Sequence, residues 1–274
     1  MELFNAKKKI YPNGKTLIYY CNQSIFHKPT NIDENTNIDE PDTGEVLEEV
    51  LNDLEQCDDV KSALNVERAV SRAKRRIFDI AYCNDWRYFI TLTIDDNIVN
   101  GYDVKSVSKK LSVFLNHCQH RYGLSYIVIP EYHKSGRVHM HGLINDALKV
   151  VDSGTRIVTG YSKPISVDVV KSKHLEKYVR SIVYNLPQWT CGFSTAVPTY
   201  GDGGALATYC TKYMTKATTK IFGNYYWSSR DLVREPEIEY FNAPDYVDID
   251  TEEYSVPNTS IKLKYVSEYV FTKD

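Results

Sequence analysis

Residues 130–144 read PEYHKSGRVHMHGLI, a stretch that contains three of the seven histidines of the 274-residue chain. Apolar and β-branched residues on both sides of the central KSG predict two strands, residues 124–131 and 137–144, joined as a β-hairpin. On a strand, His139 and His141 point to the same face, because side chains alternate with a period of two. The predicted hairpin therefore places two imidazoles side by side on a sheet.

The length of the turn decides where Glu131 lies relative to these histidines. A two-residue turn at residues 135–136 would place Glu131 opposite Met140. A three-residue turn at residues 134–136, with its glycine in the left-handed conformation, pairs Glu131 with His139 instead. In the second register the carboxylate lies beside both imidazoles.

Two histidines and a glutamate with open coordination positions form the ligand layout of a catalytic site for a divalent metal. We therefore predict a metal site at Glu131, His139 and His141. His133 is an alternative ligand, because it follows the same alternation as Glu131. Without a metal, the histidines would be partly exposed side chains on an edge strand. Ligation by nitrogen and oxygen with bound water favours Mn²⁺ or Mg²⁺, although imidazole also suits Zn²⁺.

The rest of the chain mixes helical and strand patterns, which predicts an α+β fold. Helical spacing of apolar residues, with Asn65 and Asp103 as caps, marks helices at residues 66–80 and 103–122. The alternating run RYFITLTID at residues 87–95 predicts a strand between them. Further predicted elements are strands at residues 15–21, 165–170, 192–197 and 260–271, a hairpin around 153–154, and helices at 175–181 and 205–220. We expect an antiparallel β-sheet with helices packed mainly on one face.

The net charge of −3 conceals an uneven distribution. Residues 31–60 contain twelve Asp or Glu and no Lys or Arg, so 33 basic and 24 acidic side chains leave about +9 elsewhere. Local charge decides binding, and this remainder suits a nucleic-acid partner. We expect an N-terminal extension (1–60) with a mobile acidic segment, a main domain (61–235) and an acidic C-terminal tail (236–274) with one strand. The acidic segment is either a solvating spacer or a DNA-mimicking or partner-binding region.

Several classes of protein are disfavoured by composition. The six cysteines are scattered without a CxxC pair, which argues against disulfides and cysteine zinc sites and indicates a reducing cytoplasm. No apolar run approaches a membrane span, and the N-terminus lacks the apolar stretch of a signal peptide. No GxxxxGK[ST] motif is present, so we expect no P-loop ATPase. We therefore expect a cytoplasmic protein without a membrane partner.

A second group of reactive side chains lies in YCTKYMTK, residues 209–216. Tyr209 and Tyr213 are four residues apart on a predicted helix, so they share one helix face. Lys212 and Lys216 each follow a tyrosine by three residues. Tyrosine pairs at this spacing commonly pack a core, and lysines commonly lie in water. The alternative is a pair of nucleophiles with cationic neighbours.

Five further residues are candidates for contact with DNA. Arg72, Arg75 and Arg76 lie on the polar face of the first predicted helix, where they could bind phosphates or be merely solvated. Thr91 and Thr93 share one face of the strand at residues 87–95, where they could position DNA or serve only the sheet. The aromatic run GNYYW, which begins at residue 223, could stack on unpaired bases or belong to the core.

Together, HMH, ITLTI and YCTKYMTK resemble the motifs of the HUH endonucleases, the rolling-circle replication initiators and the related relaxases and transposases. HMH resembles their His-hydrophobic-His signature, Glu131 lies where many of them have a third metal ligand, and ITLTI resembles their first motif. YCTKYMTK resembles the two-tyrosine motif of initiators from small single-stranded DNA phages. The resemblance spans roughly residues 65–227 and does not cover the first sixty residues or the tail.

The resemblance implies a ferredoxin-like antiparallel sheet that carries the metal and the tyrosines beside each other. It implies an initiator that nicks and rejoins single-stranded DNA at an origin, through a 5′-phosphotyrosyl intermediate and a free 3′-OH, with Mn²⁺ or Mg²⁺ as cofactor. The implied partners are an origin hairpin, a host helicase and a host polymerase in a bacterial cytoplasm. The alternatives are a transposase or relaxase with the same chemistry, an inactive origin- or single-strand-binding protein, and an unrelated histidine metallohydrolase.

Overall fold

A computed structural model describes residues 2–12, 14–28, 58–199, 220–243, 251–255 and 260–269. In chain order its strands are β1 (Leu3–Phe4), β2 (Ala6–Ile10), β3 (Lys15–Cys21), β4 (Phe26–His27), β5 (Tyr88–Thr93), β6 (Tyr126–Tyr132), β7 (Val138–Ile144), β8 (Val151–Val158), β9 (Ile165–Ser166), β10 (Val179–Asn185), β11 (Ser194–Pro198), β12 (Trp227–Ser228), β13 (Glu237–Phe241), β14 (Glu253–Ser255) and β15 (Lys262–Tyr269). Its helices are α1 (Asp58–Cys83), α2 (Val104–Tyr122) and α3 (Val167–Ser172), and Glu176–Tyr178 forms a 3₁₀ turn. Antiparallel sheets with these helices make an α+β fold, as expected.

The chain divides into two compact units, residues 69–234 and residues 1–68 with 235–274. In the first unit the described strands form an eight-stranded sheet in the order β12-β6-β7-β5-β11-β10-β8-β9, with antiparallel pairing throughout. β7, which bears His139 and His141, lies between β6 and β5. These histidines are therefore not on an edge strand, which corrects the expectation for a chain without a metal.

Both predicted caps of α2 are confirmed. The carboxylate of Asp103 accepts hydrogen bonds from the backbone N–H groups of Lys105 and Ser106, which lack partners inside the helix. Gly123 ends the helix in the left-handed conformation, with φ of 73°. The buried face of α2 consists of Val107, Leu111, Phe114, Leu115 and Cys118.

The buried face of α2 packs on one face of the large sheet. Ile90 and Leu92 of β5, Val128 of β6, and Val138 and Met140 of β7 belong to the same buried cluster. Burial of each such side chain stabilises the fold by roughly 1.5–3 kcal/mol, and a one-residue slip of a strand would expose its whole set. The core therefore fixes which residues of β5, β6 and β7 point to the opposite face. Packing of the other helices on the α2 side stays a prediction.

α1 begins earlier than the sequence pattern predicts. It spans Asp58–Cys83, so Asn65 lies inside the helix and its predicted role as the cap is wrong. The residues from 58 to 65 include neither glycine nor proline. Nothing in the backbone there opposes a longer helix, because glycine and proline are the residues that interrupt helices most strongly.

The predicted hairpin around residues 153–154 is instead a bulge inside β8. The consecutive residues Val183 and Tyr184 of β10 pair with Thr155 and Asp152, so residues 153–154 are inserted between two paired positions. The glycine of this insertion has φ of 73°, a left-handed conformation that suits a bulge. A glycine that marks a turn in the sequence pattern therefore marks an irregularity within one strand.

The predictions for residues 165–170 and 175–181 are also wrong in most of their length. β9 ends after two residues because Ser166 caps α3: its hydroxyl accepts a hydrogen bond of 3.3 Å from the backbone N–H of Val169. Residues 175–181 form the 3₁₀ turn and the start of β10 rather than a helix. Their β-branched and aromatic residues are compatible with the strand.

In the second unit, strands from both ends of the chain form a five-stranded sheet in the order β13-β2-β3-β15-β14 among the described residues. The predicted strands at residues 15–21 and 260–271 correspond to β3 and β15, which pair from Leu263 with Cys21 to Tyr269 with Lys15. The sequence pattern predicts both strands but not their association. Residues 29–57, which include most of the acidic segment, lie outside the described residues. Within the described part of the chain, no helix is long and apolar enough to cross a bilayer.

Candidate functional site

The hairpin between β6 and β7 has the three-residue turn. The backbone N–H of His133 donates to the carbonyl of Arg137 at 2.7 Å, and the N–H of Gly136 donates to the carbonyl of His133 at 2.8 Å. Gly136 has φ of 86°, the left-handed conformation that this turn requires. The turn pairs Glu131 directly with His139, so the second of the two predicted registers is confirmed.

Three adjacent strands bring five polar side chains to one face. On β7, His139 pairs with Thr93 of β5 and His141 pairs with Thr91. β6 supplies Glu131. Directly paired residues of antiparallel strands point to the same side of the sheet, so all five share the face opposite α2.

Hydrogen-bond distances connect both imidazoles to neighbouring strands. Nδ1 of His141 lies 3.1 Å from Oγ1 of Thr91, and Nδ1 of His139 lies 3.5 Å from Oγ1 of Thr93. On its other side, Nε2 of His141 lies 3.2 Å from Oε2 of Glu131, and both side chains are 14% exposed. Because Nδ1 of His141 is held by a hydroxyl, Nε2 is the ring atom left for Glu131 or for an ion bound between them.

The environment of His139 favours a neutral ring. Burial lowers the pKa of His139, and the charges of His133 and Arg137 lower it further, against an opposing effect of Glu131. The rings of His133 and His139 are stacked, with centroids 5.0 Å apart. A neutral imidazole keeps the lone pair with which histidine binds a metal, so His139 is held in the form of a ligand.

These donors fit a divalent ion in part. Two ligand atoms each about 2.1 Å from a shared ion are roughly 3.0–3.4 Å apart at octahedral or tetrahedral angles, so the 3.2 Å between Glu131 and His141 fits. Among the described residues, however, no group of three His, Cys, Asp or Glu is arranged so that it could hold an ion. The ring of His139 stacks on His133, and it would have to turn toward Glu131 to complete the set. Glu131 and His141 are therefore the preformed pair of the predicted site.

An exposed aromatic side chain that the sequence analysis missed lies in line with these residues. The carbonyl of Phe193 accepts a hydrogen bond of 2.8 Å from the backbone N–H of Thr93, so the segment before β11 continues beside β5. Phe193 is 73% exposed whereas Ser194 is buried, and alternation places Phe193 on the face of Thr93 and His139. Only glycine fits before it, because a Cβ on Gly192 would lie 2.2 Å from the carbonyl oxygen of Thr93. The alternation of this strand could have given its face, but not its neighbour in the sheet.

The remaining predicted site residues fall into two groups. On α1, Arg72 and Arg76 are exposed and Arg75 is half-buried, and their contact with DNA stays a prediction. The predicted nucleophiles and their lysine neighbours lie outside the described residues: Tyr209, Tyr213, Lys212 and Lys216.

Comparison with known proteins gives one family. Residues 87–218 match the family of replication-associated proteins of the ORF2 type. This segment is just under half of the chain, and it contains Glu131, His139 and His141 together with Tyr209 and Tyr213. Comparisons with curated proteins and with solved structures gave no match. The family match supports a replication-associated protein and is consistent with a rolling-circle replication initiator.

Proposed function

We propose that the chain is a rolling-circle replication initiator of the HUH type, which nicks single-stranded DNA at an origin and later rejoins it. The observation that carries the proposal is the pairing of Glu131 with His141 on a hydroxyl-flanked sheet face, inside the segment that matches the replication-associated family. The two-tyrosine motif in the same segment supplies candidate nucleophiles.

A divalent ion would be held by Glu131, His141 and His139, with Mn²⁺ or Mg²⁺ favoured by the mixed donors and Zn²⁺ as the alternative. Bound there, such an ion would polarise a phosphate and offset its negative charge. Thr91 and Thr93 orient the two rings through Nδ1, which leaves both Nε2 atoms for ligation. Metal binding is therefore expected to need the hydroxyls as well as the ligands.

Cleavage is a transesterification by Tyr209 or Tyr213. A phenol has a pKa of about 10 and is a poor nucleophile until its proton leaves, a loss that Lys212 or Lys216 would favour. The phenolate oxygen forms a bond to phosphorus, and the bond from phosphorus to the 3′ oxygen breaks. The 3′ oxygen then takes up a proton and leaves as a free 3′-OH. One phosphate ester replaces another, so the reverse reaction rejoins the strand without an added energy source.

Two tyrosines would allow one chain to complete a replication round. The first remains esterified to the 5′ end while a polymerase extends the free 3′-OH. The second cuts the regenerated origin, and the 3′-OH that it releases attacks the first ester to close a circle. Because the sequence contains no P-loop motif, a helicase and the polymerase would come from a bacterial host whose cytoplasm the protein shares.

Position-specific labelling of a single-stranded origin oligonucleotide tests this chemistry. With Mn²⁺ present, a 3′ label should migrate covalently with the protein, whereas a 5′ label should appear on a shorter fragment that a polymerase extends. Removal of divalent ions with EDTA should abolish both products. Cleavage without a covalent product would indicate a metallohydrolase instead, and binding without cleavage would indicate an inactive origin-binding protein.

A further inference from the structure

A groove opens at the β12 edge of the large sheet, with a volume of about 720 Å³. Its walls come from α1, from α2, from the start of β6, and from residues 220–228 together with Arg234. Tyr126 of β6 lines the groove and belongs to the cluster on the α2 side of the sheet. Glu131 is five positions later on the same strand, and an odd spacing places it on the opposite face. The groove is therefore separate from the pair that Glu131 forms with His141.

The groove carries positive charge. Arg72, Lys220 and Arg234 line it, and none of the described lining residues is acidic. Arg234 is fixed by hydrogen bonds of 3.1 Å to Oγ of Ser228 and 2.9 Å to the carbonyl of Ser229, while Arg72 and Lys220 are exposed. A concave surface with several cations and no lining carboxylate favours an anion.

One nearby carboxylate offsets this charge only in part. Asp231 acts on the ionisation of Tyr126 and is influenced by Arg234. Its side chain accepts hydrogen bonds from the hydroxyls of Ser125 and Ser229. These bonds, with their neighbouring cation, hold the pKa of Asp231 below its usual value although burial opposes them, so it remains charged. One negative charge beside three positive ones leaves the groove positive.

Aromatic rings alternate with the cations. Tyr225, Tyr226 and Trp227 line the groove, and Nζ of Lys220 lies 5.6 Å from the centre of the Tyr225 ring. Burial raises the pKa of Tyr226 against the charges of two nearby arginines, so its phenol stays neutral at physiological pH. Trp227 packs against the buried cluster, which gives this wall a rigid support.

Cations for phosphates beside rings for bases are the combination that binds unpaired nucleic acid. The bases of a duplex are stacked on each other and are not available to these rings. We infer that the groove is a second binding site for single-stranded DNA, which holds nucleotides that flank the part of the strand at Glu131 and His141. The choice of DNA as the strand rests on the proposed function.

Binding of a fluorescent dT oligonucleotide of about 15 nucleotides tests the groove directly, because single-strand sites span roughly 4–16 nucleotides. Fluorescence anisotropy with the full chain in EDTA measures binding without cleavage. We expect Tyr225→Ala and Lys220→Ala each to weaken binding about five- to a hundred-fold, as loss of a stacked base does. Tyr225→Phe keeps the ring and should bind like wild type. Lys220→Ala should also reduce the slope of log affinity against log salt by about 0.7.

Matched controls lie near the opposite edge of the same sheet. Lys171 of α3 and Tyr178 of the 3₁₀ turn are exposed, and Lys171→Ala and Tyr178→Ala remove the same groups there. These variants should bind like wild type, with circular dichroism verifying that all variants fold. Equal affinity of the groove variants and these controls would overturn the inference. Displacement of the oligonucleotide by dTMP at equal nucleotide concentration would also overturn it, because the groove would then bind a free nucleotide.

Nicking measured in parallel separates this inference from the proposed function. If wild-type protein binds the oligonucleotide through the groove but never cleaves, the groove stands and the nuclease proposal fails. If it cleaves but the groove variants bind like the controls, the nuclease proposal stands and the groove is excluded.

Discussion

The carboxylate of Glu131 lies 3.2 Å from Nε2 of His141, although the residue directly opposite Glu131 on β7 is His139. The contact is therefore diagonal, since Glu131 reaches past its direct partner to the next residue on the same face. On the other side of β7, Thr91 lies 3.1 Å from Nδ1 of the same ring. His141 thus connects three strands, and its orientation is fixed at both ring nitrogens.

Removal of the Thr91 hydroxyl should weaken metal binding. Thr91→Val keeps the β-branched shape and deletes the group beside Nδ1 of His141, which fixes the tautomer of the ligand. We expect Mn²⁺ affinity to fall about 10- to 100-fold, measured by isothermal titration calorimetry. Thr195→Val is the matched control, because Thr195 pairs with Thr91 one strand farther from the ring. Equal Mn²⁺ affinity of the two variants would show that the hydroxyl does not support a ligand.

His139 should titrate below the usual histidine value of 6.5 in metal-free protein, because burial disfavours its charged form. NMR of the ring protons as a function of pH measures this pKa directly. Since the folded pKa is the lower one, the unfolded chain binds the proton first as pH falls. The contribution of His139 to stability is therefore present above pH 6.5 and decreases below it.

His133→Asn is the informative variant for this titration. It removes the charge that, after burial, lowers the pKa of His139 most. The His139 pKa should move upward toward 6.5 without reaching it, because burial remains. A pKa that stays unchanged in this variant would mean that the two stacked rings do not interact electrostatically.

The site hairpin could be predicted because its determinants are local. Alternation fixes the shared face of His139 and His141, and the glycine at position 136 selects between the two possible turns. The side-chain geometry could not be predicted in the same way. The diagonal contact of Glu131 with His141 and the stacking of His139 on His133 depend on rotamers and on neighbouring strands.

Elements whose environment is set by distant residues were less predictable. Phe193 lies beside Thr93 only because β11 pairs with β5, about 100 residues earlier in the chain. The association of β15 with β3 is likewise a pairing of chain ends that no local pattern encodes. The turn signal at residues 153–154 was real, but the neighbouring strand β10 made it a bulge.

DNA binding should depend on the basic face of α1. Replacement of Arg72, Arg75 and Arg76 by Ala should weaken single-strand binding and flatten its salt dependence, by about 0.7 in the log–log slope for each phosphate that is no longer neutralised. Anisotropy titrations over a range of NaCl concentrations measure both effects. Replacement of Lys171, Lys173 and Lys177 by Ala removes the same charge near the other edge of the sheet. If both triple variants have the same salt slope, the α1 face is only solvated.

Phe193 should stack on a base of the bound strand. Its ring is 73% exposed in line with Thr93 and His139, where an unpaired base next to the reacting phosphate would lie. Phe193→Ala should weaken binding about five- to a hundred-fold, whereas Phe193→Tyr should retain it. Tyr161→Ala, at another exposed aromatic side chain, is the control. Wild-type affinity of Phe193→Ala would remove this residue from the DNA-binding face.

The central claim is that a tyrosine of this chain becomes covalently joined to a DNA 5′ end. Mass spectrometry of the digested adduct, formed with Mn²⁺ and a single-stranded origin oligonucleotide, identifies the modified residue directly. We predict a nucleotide phosphate on Tyr209 or Tyr213, some adduct in each single Tyr→Phe variant, and none in the double variant, because phenylalanine keeps the ring and removes only the hydroxyl. A covalent complex that persists in the double variant would contradict the account, since the nucleophile would then be another residue.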